Sequence, residues 1–328
     1  MDVIGIENPV ADFLVQSKRL PHSNEAIPFE RTSWQGGGNI SSAIVAAARL
    51  GAKAGMVGIV VDDPYGNFCV NDFKRHGIDV SHIIFEKEGS TGFCVCLAET
   101  STRARSFIYA ENSCRKINLD ELDKKYIISS KYLHIGVIGG MSAATIQAAK
   151  WAKENGVKVS IDAGYYEPDV EKYLDLFDVF VASEFYYDGL FDDKNYKKNC
   201  AKLQSKGPGI VVVTLGIKGS VGMQDGRYFE VPTFVEVPVA DSTGAGDVFH
   251  GAFIYGLLQG WNAEETAKFS SAVSSIKCTR LGGRAAIPDR VTVDRFLKDG
   301  YIDYTSIDER VRFYENGLFH LGGKNIQI

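Results

Sequence analysis

Asp241-Ser242-Thr243-Gly244-Ala245-Gly246-Asp247 is the stretch on which the reading of this 328-residue chain turns. Downstream, Val248 to Leu258 is apolar enough for a buried helix; upstream, Phe234 to Val239 has strand character. A turn of small residues therefore opens a helix and carries one carboxylate, Asp247, into its first turn. A helix N-terminus presents unpaired N–H groups and a partial positive charge. Gly244, Ala245 and Gly246 let an anion reach those groups without side-chain obstruction. A carboxylate there repels the anion, and makes sense if a hydroxyl must be deprotonated beside it. The pairing points to phosphoryl transfer with Asp247 as base. The plain alternative is an acidic residue favoured by the helix dipole after an ordinary glycine turn.

A second glycine-rich stretch, Trp34-Gln35-Gly36-Gly37-Gly38-Asn39-Ile40-Ser41-Ser42, runs into the alanine-rich segment Ala43 to Leu50. That segment is a good helix, with Gly51 as its C-cap. The glycines permit close backbone approach to a ligand, or serve a tight turn alone. Asn39 and Ser42 are three residues apart and can share a face of the first turn, which suits the hydroxyls of a sugar. Asp12 lies inside the apolar stretch Val10 to Val15. A carboxylate is costly to bury there without partners; an edge or turn position is the alternative.

Between these landmarks the chain alternates. Strands are expected at Val3–Ile6, Lys53–Val61, Val80–Phe85, Tyr132–Ile138, Val157–Asp162, Asp178–Ala182 and Gly209–Thr214. Helices are expected at Asn67–Gly77, Ala143–Asn155, Val170–Phe177, Asn195–Lys206, Ala263–Arg280 and Val291–Lys298. This is the βα alternation of a parallel sheet covered by helices. Thr91–Leu97 and Arg105–Ala110 break the rhythm as an antiparallel hairpin, expected to form a small lid sheet with residues 13–35; an ordinary surface hairpin is the other reading. Ser220–Met223 and Arg227–Val231 form another hairpin. Residues 301–328 show no clear period and carry no assignment. The expected division is an α/β core of residues 1–12, 36–88 and 113–328, and a β lid of residues 13–35 and 89–112.

Composition narrows the function classes. Hydrophobic residues make up 45%, enough for a sizeable core. A net charge of -5 argues against nucleic acid as a partner. No apolar run approaches the ~20 residues of a membrane span. Asp2, Glu7 and Asp12 spoil a signal peptide, so the expected location is the cytoplasm. The six cysteines form no CxxC pair and the six histidines no HExxH, so no zinc site is expected. There is no GxxxxGK[ST] and no GxGxxG after a strand, so any nucleotide contacts lie elsewhere. Thr214-Leu215-Gly216-Ile217-Lys218-Gly219, at the C-terminal end of a buried strand, is one candidate; an ordinary turn is the other reading.

Asp-Ser-Thr-Gly-Ala-Gly-Asp resembles the DTxGAGD signature of the ribokinase-like (PfkB) carbohydrate kinases. With the first glycine stretch roughly 200 residues upstream, the resemblance runs from Val3 to about Leu297. It implies a ribokinase-like parallel sheet flanked by helices with a small β lid, and an ATP-dependent kinase acting on a small sugar with Mg²⁺. Trp34-Gln35 is similar to the ketohexokinase branch and Lys277–Ala285 to sulfofructose kinases. The implied acceptor is therefore the primary hydroxyl of a ketohexose such as fructose. Ribose, a 2-keto-3-deoxy sugar acid and a nucleoside are alternatives. A catalytically silent sugar sensor on the same fold is a further one, against which an intact Asp247 argues.

The resemblance implies roles as follows. Asp247 is the base, and Gly244, Ala245 and Gly246 form the anion hole. Asp12, Gly38, Asn39 and Ser42 bind sugar. Arg105 reaches the phosphates from the lid, Thr214 and Gly216 lie near the nucleotide, and Cys278 lines the adenine pocket. Asp241 and Thr243 resemble residues that help hold a monovalent cation such as K⁺ in some members. The metal-organising Asn-x-x-Glu of the family falls near Ser183-Glu184-Phe185-Tyr186, where either Glu184 substitutes for it or water bridges to Mg²⁺. Ser42 stands where many relatives have a second Asn. Open lid edges imply a homodimer formed through the lid.

Overall fold

The computed structural model describes residues 1–110, 114–137 and 141–324. The strands are β1 (Val3–Ile6), β2 (Val10–Ser17), β3 (Arg31–Gly37), β4 (Ala54–Val61), β5 (Asp79–Glu86), β6 (Gly92–Glu99), β7 (Arg105–Ala110), β8 (Tyr132–Gly136), β9 (Lys158–Ala163), β10 (Val179–Ser183), β11 (Ile210–Thr214), β12 (Ser220–Gln224) and β13 (Arg227–Val231). The helices are α1 (Asn39–Leu50), α2 (Pro64–Arg75), α3 (Lys124–Ile128), α4 (Ala143–Glu154), α5 (Glu184–Leu190), α6 (Tyr196–Gln204), α7 (Ala245–Leu258), α8 (Ala263–Lys277), α9 (Arg290–Asp299), α10 (Thr305–Glu315) and α11 (Gly317–Leu321).

The main sheet is ordered β13-β12-β11-β10-β9-β8-β1-β4-β5. It is parallel from β5 to β11 and closes with the antiparallel hairpin β12–β13. Strands β4 and β9–β11 are almost wholly buried, which is why they read as β-branched runs and not as alternations. One face packs on α3, α4, α5 and α6 through Ile135, Ala148, Phe180, Tyr186 and Leu203. The other packs on α1, α2, α7, α8 and α9 through Ile44, Val60, Phe73, Val248, Val273 and Phe296. Burial of each large apolar side chain is worth about 1.5–3 kcal/mol, so this two-sided core outweighs the helix propensity of any one segment. Chain order reverses about β1, which lies between β4 and β8. Such a switch point is where open α/β sheets form a crevice at the carboxyl ends of their strands.

A separate four-stranded sheet, β3-β2-β6-β7, covers that end. It takes in Val10–Asp12 and Gly36–Gly37, which the sequence assigns to the core. Gly36 and Gly37 are strand residues, paired with Ala11 and Val10. Phe13, Trp34 and Phe93 of this sheet pack with Tyr65 of α2.

Other expectations shift for identifiable reasons. Phe234–Val239 is no strand. Val237 N–H turns back to Phe234 O at 3.2 Å. Pro238 also removes one N–H donor from that stretch, and Pro232 stands two residues before it. Helix α2 begins at Pro64, three residues before Asn67, because Asp63 caps it by accepting from Gly66 N–H, and Pro suits a first helical position. Expected strand residue Ile138 lies outside the described residues. The unassigned C-terminal region forms α10 and α11, buried through Ile307, Tyr314 and Leu321. No described helix is long and apolar enough to cross a membrane.

Candidate active site

Helix α7 begins from Gly244, whose φ of +72° is left-handed and whose Cβ position meets the Gly283 backbone at 3.0 Å. Only glycine fits both conditions. Ala245 N–H closes the turn onto Ser242 O at 3.2 Å, so that amide is already engaged. Gly246 is exposed, and nothing lies within 4 Å of its Cβ position. The helix start thus keeps an open cradle on one side, shaped for a group that approaches the backbone.

The turn behind it is tied down. Asp241 Oδ1 accepts from Thr243 N–H (2.9 Å) and Thr243 Oγ1 (2.8 Å), and Oδ2 accepts from Gly282 N–H (2.8 Å). The fully buried Lys277, at the end of α8, donates its Nζ to the carbonyls of Asp241 and Thr243. Burial raises the Asp241 carboxyl, but the Lys277 charge and these amide donors hold it below its ordinary value. The described oxygens expected to hold a monovalent cation are therefore engaged, and the residues do not fit such an ion.

Asp247 is half-buried. Desolvation, then the charges of Asp162 and Glu7, push its carboxyl well above the ordinary range, opposed by Lys277. Asp162 is the penultimate residue of the buried strand β9; one oxygen lies 3.3 Å from His250 Nε2 and the other accepts from Asn39 Nδ2 at 3.4 Å. Burial raises its carboxyl and lowers His250 to about 3, so that imidazole is neutral. His250 sits one turn beyond Asp247 on α7. Gly251 beside it allows α7 to cross α1 at Ala43 O, where a Cβ would collide. This close crossing brings the starts of α1 and α7 to one crevice.

The glycine run at the junction of β3 and α1 makes room for three charged side chains. A Cβ at Gly36 would strike the Arg284 guanidinium, one at Gly37 the Asp12 carboxylate, and one at Gly38 the Glu7 carboxylate. Glu7 accepts from Asn39, Ile40 and Ser41 N–H at 3.1, 3.4 and 2.8 Å, and so occupies the α1 N-terminus. That terminus caps a resident carboxylate and is not open to a ligand. Arg284 has no exposed surface and donates to Asp72 Oδ2 (2.7 Å), Gly37 O (2.6 Å) and Ser42 Oγ (3.3 Å). Asn39 and Ser42 therefore diverge, one toward Asp162 and the other toward Arg284. Asp12 shares a face of the lid sheet with Cys94 and Cys96, whose sulfurs are 3.7 Å apart. Burial raises the Asp12 carboxyl to about 7, with Arg284 opposing and Glu7 adding.

Arg105, on the edge strand β7, donates Nη1 to Ser242 Oγ, so the lid touches the turn before α7. Thr214 donates to Ala182 O at 3.3 Å, and Gly216 has φ +58° with open space at its Cβ position; both lie at the end of β11. The Cys278 carbonyl accepts from Ala240 and Asp241 N–H at 2.8 and 3.1 Å, and its thiol is buried. Glu184 Oε1 is paired with Lys218 (3.0 Å) and Lys194 (3.4 Å), so it is not a free ligand for Mg²⁺. Among the described residues, the cluster with convergent ligand atoms is Asp12, Cys94 and Cys96, too soft a set for Mg²⁺.

Glu7, Asp162, His250, Lys277 and Arg284 are site residues that the sequence reading does not find. Asp162 carries a legible signal, a carboxylate closing a buried parallel strand. The others are separated in sequence from every partner they meet.

Residues 3–290 match the family model described as pfkB family carbohydrate kinase. The 5-dehydro-2-deoxygluconokinase of Clostridium perfringens is 30% identical over 289 residues, covering 82% of this chain and 85% of that protein. The structure of Arabidopsis thaliana ribokinase complexed with ribose and ATP superposes with a TM-score of 0.78 at 24% identity, covering 90% and 98% of the two chains. That of a fructokinase with bound ATP from Xylella fastidiosa gives 0.76 at 22% identity, covering 91% and 98%.

Proposed function

The chain belongs to the pfkB family of carbohydrate kinases, and from that premise we propose that it phosphorylates a primary hydroxyl of a neutral ketohexose such as fructose. It is an ATP-dependent phosphotransferase, and kinases of this fold use ATP with Mg²⁺. The observation that carries the reading is the Asp247 carboxylate in the first turn of α7, beside the open Gly246 cradle and among buried carboxylates. Asp247 takes the proton of the acceptor hydroxyl. The sugar oxygen bonds the γ-phosphorus as the bond to the β-phosphate breaks, and ADP leaves. First-turn amides of α7 receive the phosphoryl oxygens. Asp12 and Asn39 hold hydroxyls that do not react, with Gly38 shaping the wall between them. Arg105 meets phosphate charge from the lid, while Thr214, Gly216 and Cys278 lie toward the nucleotide.

The acceptor is favoured as neutral on electrostatic grounds. Asp12, Asp162 and Asp247 converge, and Glu7 stands behind them. The buried cations nearby, Arg284 and Lys277, are engaged within the protein. An anionic sugar acid entering this crevice meets like charge without a free described cation on its floor. The similarity to 5-dehydro-2-deoxygluconokinase makes that sugar acid the competing reading. ADP release is measured with fructose, ribose, a 2-keto-3-deoxy sugar acid, 5-dehydro-2-deoxygluconate and a nucleoside. The ketohexose is expected to give the highest kcat/KM, by about tenfold or more. A sugar acid in first place overturns the assignment.

The lid is proposed to dimerise. Strand β7 is an open edge of its sheet. It exposes Phe107, Ile108 and Tyr109 at 49%, 64% and 70%. An apolar edge of this kind invites pairing with a second copy. Light scattering is expected to give twice the chain mass; a monomer at all concentrations rejects the dimer.

A further inference from the structure

Lys277 has no exposed surface, yet its side chain ends among backbone carbonyls. A buried ammonium is costly unless its charge is met. Here the carbonyls of Asp241 and Thr243 accept from Nζ, and the Asp241 carboxylate lies within its field. Those carbonyls belong to the turn that hands the chain to Gly244 and to the first-turn amides of α7. Lys277 therefore fixes the geometry of the phosphate cradle from behind, through backbone dipoles that a neutral side chain would leave uncompensated. The turn is the same one whose Asp241 and Thr243 resemble holders of a monovalent ion. Its described oxygens are already engaged: Oδ1 and Oδ2 of Asp241 by Thr243 and Gly282, both carbonyls by Lys277. A second cation placed there meets the ammonium charge with few oxygens to surround it.

We propose that Lys277 is a positioning residue that serves as a resident cation for the phosphate-binding turn, so that this kinase needs no monovalent metal ion. The proposal rests on the reading of the α7 start as the phosphate site. It concerns a residue that touches neither substrate, and it places a covalently tethered ammonium in the role of a diffusible ion. The consequence is a turn whose order does not depend on salt composition.

The test compares wild-type initial rates in tetramethylammonium chloride and in KCl of equal ionic strength, at saturating Mg-ATP and sugar. Rates are expected to agree within about twofold. Thermal unfolding of the wild type is followed in the same two salts. Equal midpoints are expected, since an ion bound only to the folded state would raise the midpoint in KCl. Lys277→Met is expected to lose at least about a hundredfold in kcat with sugar affinity kept within about threefold. In Lys277→Ala, which leaves room, NH₄⁺ or K⁺ is expected to restore part of the rate. Saturable activation of the wild type by K⁺ of about tenfold or more, or full kcat in Lys277→Met, overturns the proposal. If Lys277→Met does not fold, the wild-type comparison decides. A wild type that turns over no sugar instead sinks the phosphate-site reading, while the unfolding comparison still reports on the ion.

Discussion

Two carboxylates far apart in sequence are assigned to one substrate, and they are separable by what they do. Asp247 acts on the reacting hydroxyl, so Asp247→Asn should lower kcat by about 10²–10⁴-fold with little change in sugar Kd. Asp12 holds hydroxyls that do not react, so Asp12→Ala should weaken sugar binding by roughly 10–150-fold. Calorimetric Kd beside steady-state kcat distinguishes them; the reversed pattern would overturn the site map. Asp12 also carries a pH signature. Its carboxyl is raised from an ordinary 3.8 to about 7, chiefly by burial. A raised acid contributes stability that is fully present below 3.8 and is lost as pH rises through about 7. The ionised form is the better acceptor, so kcat/KM for sugar should rise with pH across the same upper limit. Asp12→Asn should remove both trends, leaving the limb that belongs to Asp247. An unchanged limb near 7 in that variant would reassign it. At this scale Asp12 and Asp247 are legible in the sequence, since each is a carboxylate in an apolar or glycine-rich setting. Glu7 is not, because what it does depends on the amides of α1; Asp162 is legible as a carboxylate at a strand end, but its partners, an amide and an imidazole, come from other elements.

The N-terminus of α7 is the element on which turnover depends. Gly246 has open space at its Cβ position and no positive φ, so Gly246→Val should fold with an unchanged melting profile. Its branched side chain would fill the cradle, and oxyanion contacts are worth roughly 2.7–4 kcal/mol each. A drop in kcat of about a hundredfold or more is expected; near-normal turnover would remove the cradle from the mechanism. Gly244→Val is a poorer probe, because φ +72° and the Gly283 backbone would strain the fold itself. The junction of β3 and α1 shows the limit of reading glycines from sequence. Gly36-Gly37-Gly38 is expected to admit a ligand, and it admits Arg284, Asp12 and Glu7. The glycine requirement is legible, and the identity of what approaches is not.

Across the whole molecule, lid and core meet through apolar packing of Ala11, Trp34 and Leu14 against α2, the last helices and Leu281, and through polar contacts. Gln35 of β3 accepts from Arg284 and Ala285 N–H at 2.7 and 2.9 Å and donates to Leu281 O at 3.0 Å. Gly282 in the same loop donates to Asp241. The lid is thereby linked to the turn that opens α7, and Arg105 touches that turn again at Ser242. Arg105→Ala should lower kcat and the apparent affinity for ATP while leaving sugar Kd within about threefold, because the charge it meets belongs to phosphate. Collapse of sugar affinity with normal ATP use would place the hairpin elsewhere.

Sequence by itself determined that the core is a mostly parallel sheet covered by helices, through buried β-branched runs alternating with helices. It also determined the signature Asp241–Asp247, because a glycine turn, a helix start and a carboxylate are local features written in neighbouring residues. Tertiary structure decided the rest. Phe234–Val239 has apolar content for a strand, but Pro238 and the packing of Val237 into the core make it a turn. The last helices needed the lid and α2 to bury them. The charge network joining Glu7, Arg284 and Lys277 to the site spans more than two hundred residues of chain. No local pattern encodes it, because burial and pairing of a charge are properties of the folded crevice and not of the segment that carries it.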